Sequence, residues 1–174
     1  MLTLRLIFNL MILRLSAPPC VRVWLAFVMA VLCGGVSAAE PRTYTNDLAA
    51  LYNEYQRVLV LRDACIIAQP GKREEFSEAY QHWFARHERI VDDLDNRFAA
   101  IVKRASKNQA DYSKNYGKYQ SEVYQMRAEG IKALLTNKEK LALQCEEFPA
   151  YVRHPKSDIP ALFPAEFKSV YRVR

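Results

Sequence analysis

The residues with the plainest chemical capacity lie in the stretch QHWFARHE, which holds His82, Trp83, Arg86, His87 and Glu88. Two histidines beside a carboxylate could ligate a metal ion or move protons. Their spacing argues against both roles. The histidines are five residues apart, whereas two zinc ligands on one helix face stand four apart. Neither histidine has a glutamate three residues before it, so the di-iron helix pattern is missing as well. Glu78 and His82 make a pair at four, but two ligands do not make a site. His87 falls on an apolar stripe at helical spacing and reads as a hydrogen-bonded core histidine. Glu88, Asp92 and Asp95 line one flank of the same segment, where a carboxylate pair in a cleft could share acid and base work. A solvated outer helix face uses the same residue types. The sequence contains no nucleophile elbow, phosphate-binding glycine loop or Cys-x-x-Cys pair. No catalytic residue, metal ligand or cofactor is therefore assigned.

A second candidate is DYSKNYGKYQSEVY, residues 111–124, where Tyr112, Tyr116, Tyr119 and Tyr124 alternate with Lys114 and Lys118. Basic and aromatic side chains together can bind a polyanion by ion pairing and stacking. The tyrosines at 112, 116 and 119, however, fall at steps of four and three, which is the spacing of a buried helix seam. The lysines then become the solvated face, and Tyr124 lies off the stripe. Lys103, Arg104, Lys107, Lys114 and Lys118 against Asp111 alone still make this end of the chain locally basic, by a net +4. A basic tip of that kind suits weak contact with an anionic membrane surface or an acidic partner, and nucleic acid is not expected as a ligand.

The elements that position these residues begin after a leader. Residues 23–33, VWLAFVMAVLC, follow Arg22 and precede GGVSAAE. That is the pattern of a secretory signal peptide cut after Ala38 or Ala39. The run is too short for a membrane span, which needs ~20 apolar residues. Residues 1–20 carry a second apolar stretch that a single leader does not need, so translation is expected to start at Val21, the alternative being a long leader with an extended basic region. Leu32 before Cys33 argues against lipid attachment. Removing residues 1–39 removes Arg5, Arg14 and Arg22 and no acid, which lowers the net charge from +6 to +3. Two cysteines remain, Cys65 and Cys145, and an even count in an exported chain predicts a disulfide.

Residues 40–148 are poor in glycine and show apolar residues at steps of three and four, an all-α pattern. The spacing predicts an up-down-up bundle of three long helices, stapled by the disulfide. The first runs from an N-cap at Asn46 to about Gln69, with Leu48, Leu51, Tyr55, Val58, Leu59 and Ile66 inward. The second follows Pro70-Gly71 and runs to about 105, with Phe76, Tyr80, Trp83, His87, Ile90, Leu94, Phe98 and Ile101 on one face. Ser106–Gln109 is the expected reversal. The third carries Tyr112 to Phe148 and meets a capping box at Thr136-Asn137-Lys138-Glu139, where a helix can break and restart. The stretch LTNKEKL, 135–141, resembles in that one short motif the LTxxQ repeat of small periplasmic stress chaperones. Glu139 stands where that family has Gln and there is no second copy, so no site residue is carried over.

From Pro149 the composition changes. Residues 149–174 form a Pro-rich basic and aromatic tail with five basic and two acidic side chains, whereas residues 40–148 are balanced at 17 of each. Four prolines predict a largely extended tail with a final turn or two after Pro164. Its aromatic residues must be covered, either by the bundle or by a partner. Tyr151, Arg153, Phe163, Phe167, Tyr171 and Arg172 are accordingly the candidate partner-binding residues. The function expected from these features is a non-catalytic exported binding or structural protein of the cell envelope, whose partner is another envelope protein. An inhibitor or immunity protein for a secreted enzyme is the alternative, and an enzyme using the His82, His87 and Glu88 region is the third reading.

Overall fold

The computed structural model describes residues 43–172. The expected leader and the Val21 start lie outside the described residues. Helices of all kinds hold 92% of these residues and strands none, so the all-α expectation holds. Six α-helices follow one another: α1 (Tyr44–Ala68), α2 (Arg73–Arg104), α3 (Gln109–Thr136), α4 (Lys138–Arg153), α5 (Ile159–Leu162) and α6 (Pro164–Arg172), with 3₁₀ turns at Pro70–Lys72 and Pro155–Ser157.

Caps account for the boundaries. Helix α1 starts from Thr43, whose hydroxyl accepts the Asn46 amide at 3.2 Å. Asn46 is thus inside the helix and is not its cap. Asn108 caps α3 by accepting the Asp111 amide at 3.0 Å, and the Asp111 carboxylate reaches back to the Lys107 amide at 2.9 Å. The first bond satisfies one of the donors a helix start leaves open, and the second ties the residue before the cap to the first turn. Asn137, in a non-helical conformation (φ −111°, ψ 86°), ends α3 and caps α4, its side chain accepting the Lys140 amide. Thr136 does not cap, since its hydroxyl donates to the Lys132 carbonyl.

The break at Asn137 is a full reversal, which corrects the three-helix expectation. Helix α3 runs parallel to α1, because Arg127 bonds Gln56 and Gly130 faces Val60. Helix α4 runs the other way. Cys145 stands opposite Cys65, with 5.4 Å between Cα atoms and the sulfurs at disulfide distance, and six residues later Tyr151 meets Glu54 and Arg57. The cysteines thus meet because α4 descends past the end of α1. The bundle is up-down-up-down, and its last leg continues through α5 and α6.

Helix α1 is the hub. It packs against α2, α3, α4 and α6, and its buried residues include Asp47, Tyr52, Glu54, Gln56, Leu61 and Ala64 in addition to most of the expected stripe. A helix covered on several sides loses the single apolar face by which amphipathic helices are recognised. Helix α2 keeps its stripe: Phe76, Tyr80, Trp83, His87 and Leu94 are buried. Helix α3 has no fully buried residue in its 28 positions, since it lies on the outside of the bundle.

The tail differs most from expectation. Helix α4 continues through Pro149 to Arg153, although proline removes a backbone bond and crowds the preceding turn. Burial offsets that cost: Phe148, Pro149 and Val152 are all buried. Beyond it the tail is helical, and Ile159 and Val170 are fully buried in the same core. Tyr151, Phe163, Phe167 and Tyr171 are half-buried against it.

Candidate functional site

Among the described residues the most concentrated polar chemistry surrounds His87. Helical spacing places Trp83 one turn before it, and their rings stack at 4.3 Å. The His87 Nδ1–H donates to the Trp83 carbonyl at 2.7 Å, and Nε2 accepts the Ile159 amide at 3.3 Å. This pattern requires the neutral Nδ1–H tautomer. Burial lowers the His87 pKa, partly opposed by the bond to the Trp83 carbonyl and by the Asp158 carboxylate, which lies 3.5 Å from Nε2. The Trp83 indole donates to the Ser157 carbonyl at 3.3 Å. Arg86 donates to the Val152 carbonyl at 2.8 Å and to Asp158 at 3.0 Å.

A serine, a histidine and an aspartate therefore lie together, but their geometry is that of a fastening. Ser157 is buried and its hydroxyl donates to the His154 carbonyl at 2.7 Å. Both His87 nitrogens are occupied by backbone groups, and Ile159, which one of them holds, is itself fully buried. The cluster pins the turn between α4 and α5 onto α2. His82 and Glu88, which the sequence groups with His87, are exposed, so the structure does not bring the three together. No group of three or more His, Cys, Asp or Glu able to hold a metal occurs among the described residues.

Two further arginines hold the C-terminal segment. Arg57 pairs with Glu54 at 2.6 Å and bonds the Tyr151 hydroxyl. The bond to Glu54 raises the Arg57 pKa further. Arg97 pairs with Asp93 at 2.5 Å, bonds the Tyr44 hydroxyl at 3.0 Å and the Val170 carbonyl at 3.1 Å, and lies over the Tyr171 ring. Nothing in the sequence marks Arg57 and Arg86 for this role; the Asp93–Arg97 pair at helical spacing shows only as a surface ion pair. Arg153 and Arg172, the other tail candidates, are exposed.

The basic tip stands at the α2–α3 turn, and Lys103, Arg104, Lys107, Lys114 and Lys118 are all exposed. Tyr112, Tyr116 and Tyr119 are half-buried and in ring contact in succession, with Tyr119 stacked onto Phe98 at 5.6 Å. Burial pushes the Tyr119 phenol up to about 12. The tyrosines thus form a seam, though one covered on one side only. Tyr124, off the seam, is 69% exposed beside Arg127. At the opposite end, an open cleft of about 530 Å³ is lined by Arg62, Asp63, Ile66, Ile67, Arg73, Ser77 and Ile131. Arg62 there bonds Asp63 and covers the Tyr80 ring at 4.3 Å.

No known family, curated protein or solved structure matches this chain. The functional reading therefore rests on the chain's own residues.

Proposed function

We propose that the chain is a non-catalytic, exported helical protein of the cell envelope, serving as an adaptor, chaperone-like protein or subunit of a complex, with another envelope protein as partner. The observation that carries this reading is the use made of the reactive side chains. His87, Ser157, Asp158 and Arg86 are all engaged in holding the C-terminal segment. Their arrangement supports a rigid scaffold whose outer faces do the work. The export half of the proposal is supported by Cys65 and Cys145, fully buried at disulfide distance, since such pairs persist in oxidising compartments. No helix among the described residues is long and apolar enough to cross a membrane.

Fractionation of cells making the full chain, with cross-linking of intact envelopes before lysis, tests both halves. The expected result is a product beginning at Ala39 or Glu40 in the periplasmic or secreted fraction, cross-linked to an envelope protein. A chain that keeps residues 1–39 and stays in the cytoplasm with Cys65 and Cys145 both free would overturn the proposal.

A further inference from the structure

The sequence places its two basic clusters far apart, and the fold brings them to one end. Arg97 bonds Tyr44 in the first turn of α1 and the Val170 carbonyl near the end of α6, so both helices terminate near its level. The α5–α6 segment runs the same way as α2, because Ile159 of α5 lies against His87 and Val170 of α6 against Arg97. Helix α2 continues from Arg97 to Arg104, about 10 Å further at 1.5 Å per residue. It then turns into α3, with the Asn115 amide donating to the Ser106 hydroxyl at 3.0 Å and Tyr119 stacked on Phe98. The last turns of α2 and the first of α3 thus extend past α1 and α6 as a two-helix hairpin.

This hairpin carries the five cations of the tip. The sole acid between Phe98 and Ser121 is Asp111, and its carboxylate accepts the Lys107 amide. Among the described residues the sole ion pair formed by the five is a loose one, Lys118 to Glu122 at 3.9 Å. Lys168 and Arg172 of α6 are exposed and lie behind the hairpin, near the level of Arg97. Tyr112 and Tyr116, stacked and half-buried, stand among the lysines.

We infer that this end of the bundle docks onto a membrane surface rich in anionic lipid, with phosphate headgroups as the ligands. The five cations are spread over both helices and the turn of a projecting hairpin, which suits a plane, whereas a polyanionic chain is held in a groove that tracks its backbone. Long lysine stems with charged heads, and tyrosines with an apolar ring and a polar edge, are the side chains that settle at a headgroup layer. Docking is peripheral and electrostatic, so it weakens as salt rises. The inference rests on the envelope reading only for where such a leaflet is met, and fractionation can fail while vesicle binding succeeds, or the reverse.

Cosedimentation of the purified protein with vesicles tests it. Vesicles containing phosphatidylglycerol should bind the protein at low salt and release it at high salt, and phosphatidylcholine vesicles should not bind it. Each cation near an anionic surface is worth about fivefold in affinity, so the combined Lys103→Glu, Lys107→Glu and Lys114→Glu variant should bind at least about a hundredfold more weakly. Circular dichroism checks its fold, and Lys→Gln at the same positions replaces it if the reversals unfold the chain. Reversals at the other end, Lys132→Glu, Lys138→Glu and Lys140→Glu, should leave binding intact. The inference is overturned by absence of binding to phosphatidylglycerol vesicles, by equal binding to neutral ones, by equal loss in the control set, or by capture of an acidic envelope protein through the tip without vesicle binding.

Discussion

Helix α3 contains two glycines whose surroundings differ in a way that a pair of substitutions can expose. Around Gly117 a Cβ would meet nothing within 4 Å, whereas at Gly130 it would lie 3.1 Å from Cγ1 of Val60 on α1. Both are interior helix positions, so replacing either by alanine removes the same backbone entropy penalty, roughly 0.5–1 kcal/mol. Gly117→Ala should therefore stabilise by about that amount. At Gly130 the gain meets a clash, because Val60 is β-branched and stiff at χ1. Moving it off its rotamer costs roughly 0.5–1.5 kcal/mol, so Gly130→Ala should be near neutral or mildly destabilising. The two variants should differ by about 1 kcal/mol, or a few degrees in Tm for a domain of this size. Gly130→Leu should lose roughly 1–3 kcal/mol by overpacking, and Gly117→Leu should not. Urea unfolding followed by circular dichroism measures all four. Combining Gly130→Ala with Val60→Ala should relieve the clash, visible as a favourable coupling in the double-mutant cycle. Equal stabilisation by Gly117→Ala and Gly130→Ala would refute the close approach of α3 to α1.

Three further outcomes are expected. The folded oxidised protein should show no titratable thiol at Cys65 or Cys145, and replacing both by serine should cost up to about 4.5 kcal/mol in the chain-entropy model for a separation of 80 residues, measured by the same urea titration. Because the His87 pKa is lowered by burial from its ordinary value of 6.5, the unfolded chain binds the extra proton first; its stabilising contribution is complete above about pH 6.5 and is lost as pH falls towards and through the lowered value. His87→Gln should flatten that part of the stability profile, and a profile unchanged by it would contradict the assignment. Arg97→Ala should cost roughly 1–2 kcal/mol, since Arg97 is partly exposed but holds Tyr44, Asp93 and Val170 at once, and hydrogen exchange should show faster opening of α6 than of α2.

The parts of the fold that could be read from the sequence are those where local spacing and burial coincide. The stripe from Phe76 to Ile101 on α2 has one covered face, and its residues proved buried or half-buried as their spacing implies. Helix α1 was only half legible, because a hub buries Glu54 and Gln56 along with Leu51 and Val58, and polar residues carry no apolar signal. The reversal at Asn137 hid behind a cap motif that is compatible with both a kink and a turn. Pro149 misled because proline reads as a helix stop, yet tertiary burial of Phe148 and Val152 carried α4 past it. The His87 cluster was legible as a buried histidine. Its partners at Ser157, Asp158 and Ile159 lie at least 70 residues away in sequence, and no spacing rule reaches that far.

The position of α1 also sets when the chain can become a folded protein. Cys65 waits for a partner 80 residues on, Glu54 for a tyrosine 97 residues on, and the guanidinium that holds Tyr44 is completed only by the carbonyl of Val170. A chain that emerges N-terminus first therefore leaves part of its hub uncovered until α6 has emerged. Early segments can form local helical hairpins, but closing such long loops precedes any reward from the contacts they bring together. Completion of the bundle is thus left to its C-terminal end: the disulfide cannot close before α4 has emerged, and α1 is fully covered only once α6 is in place.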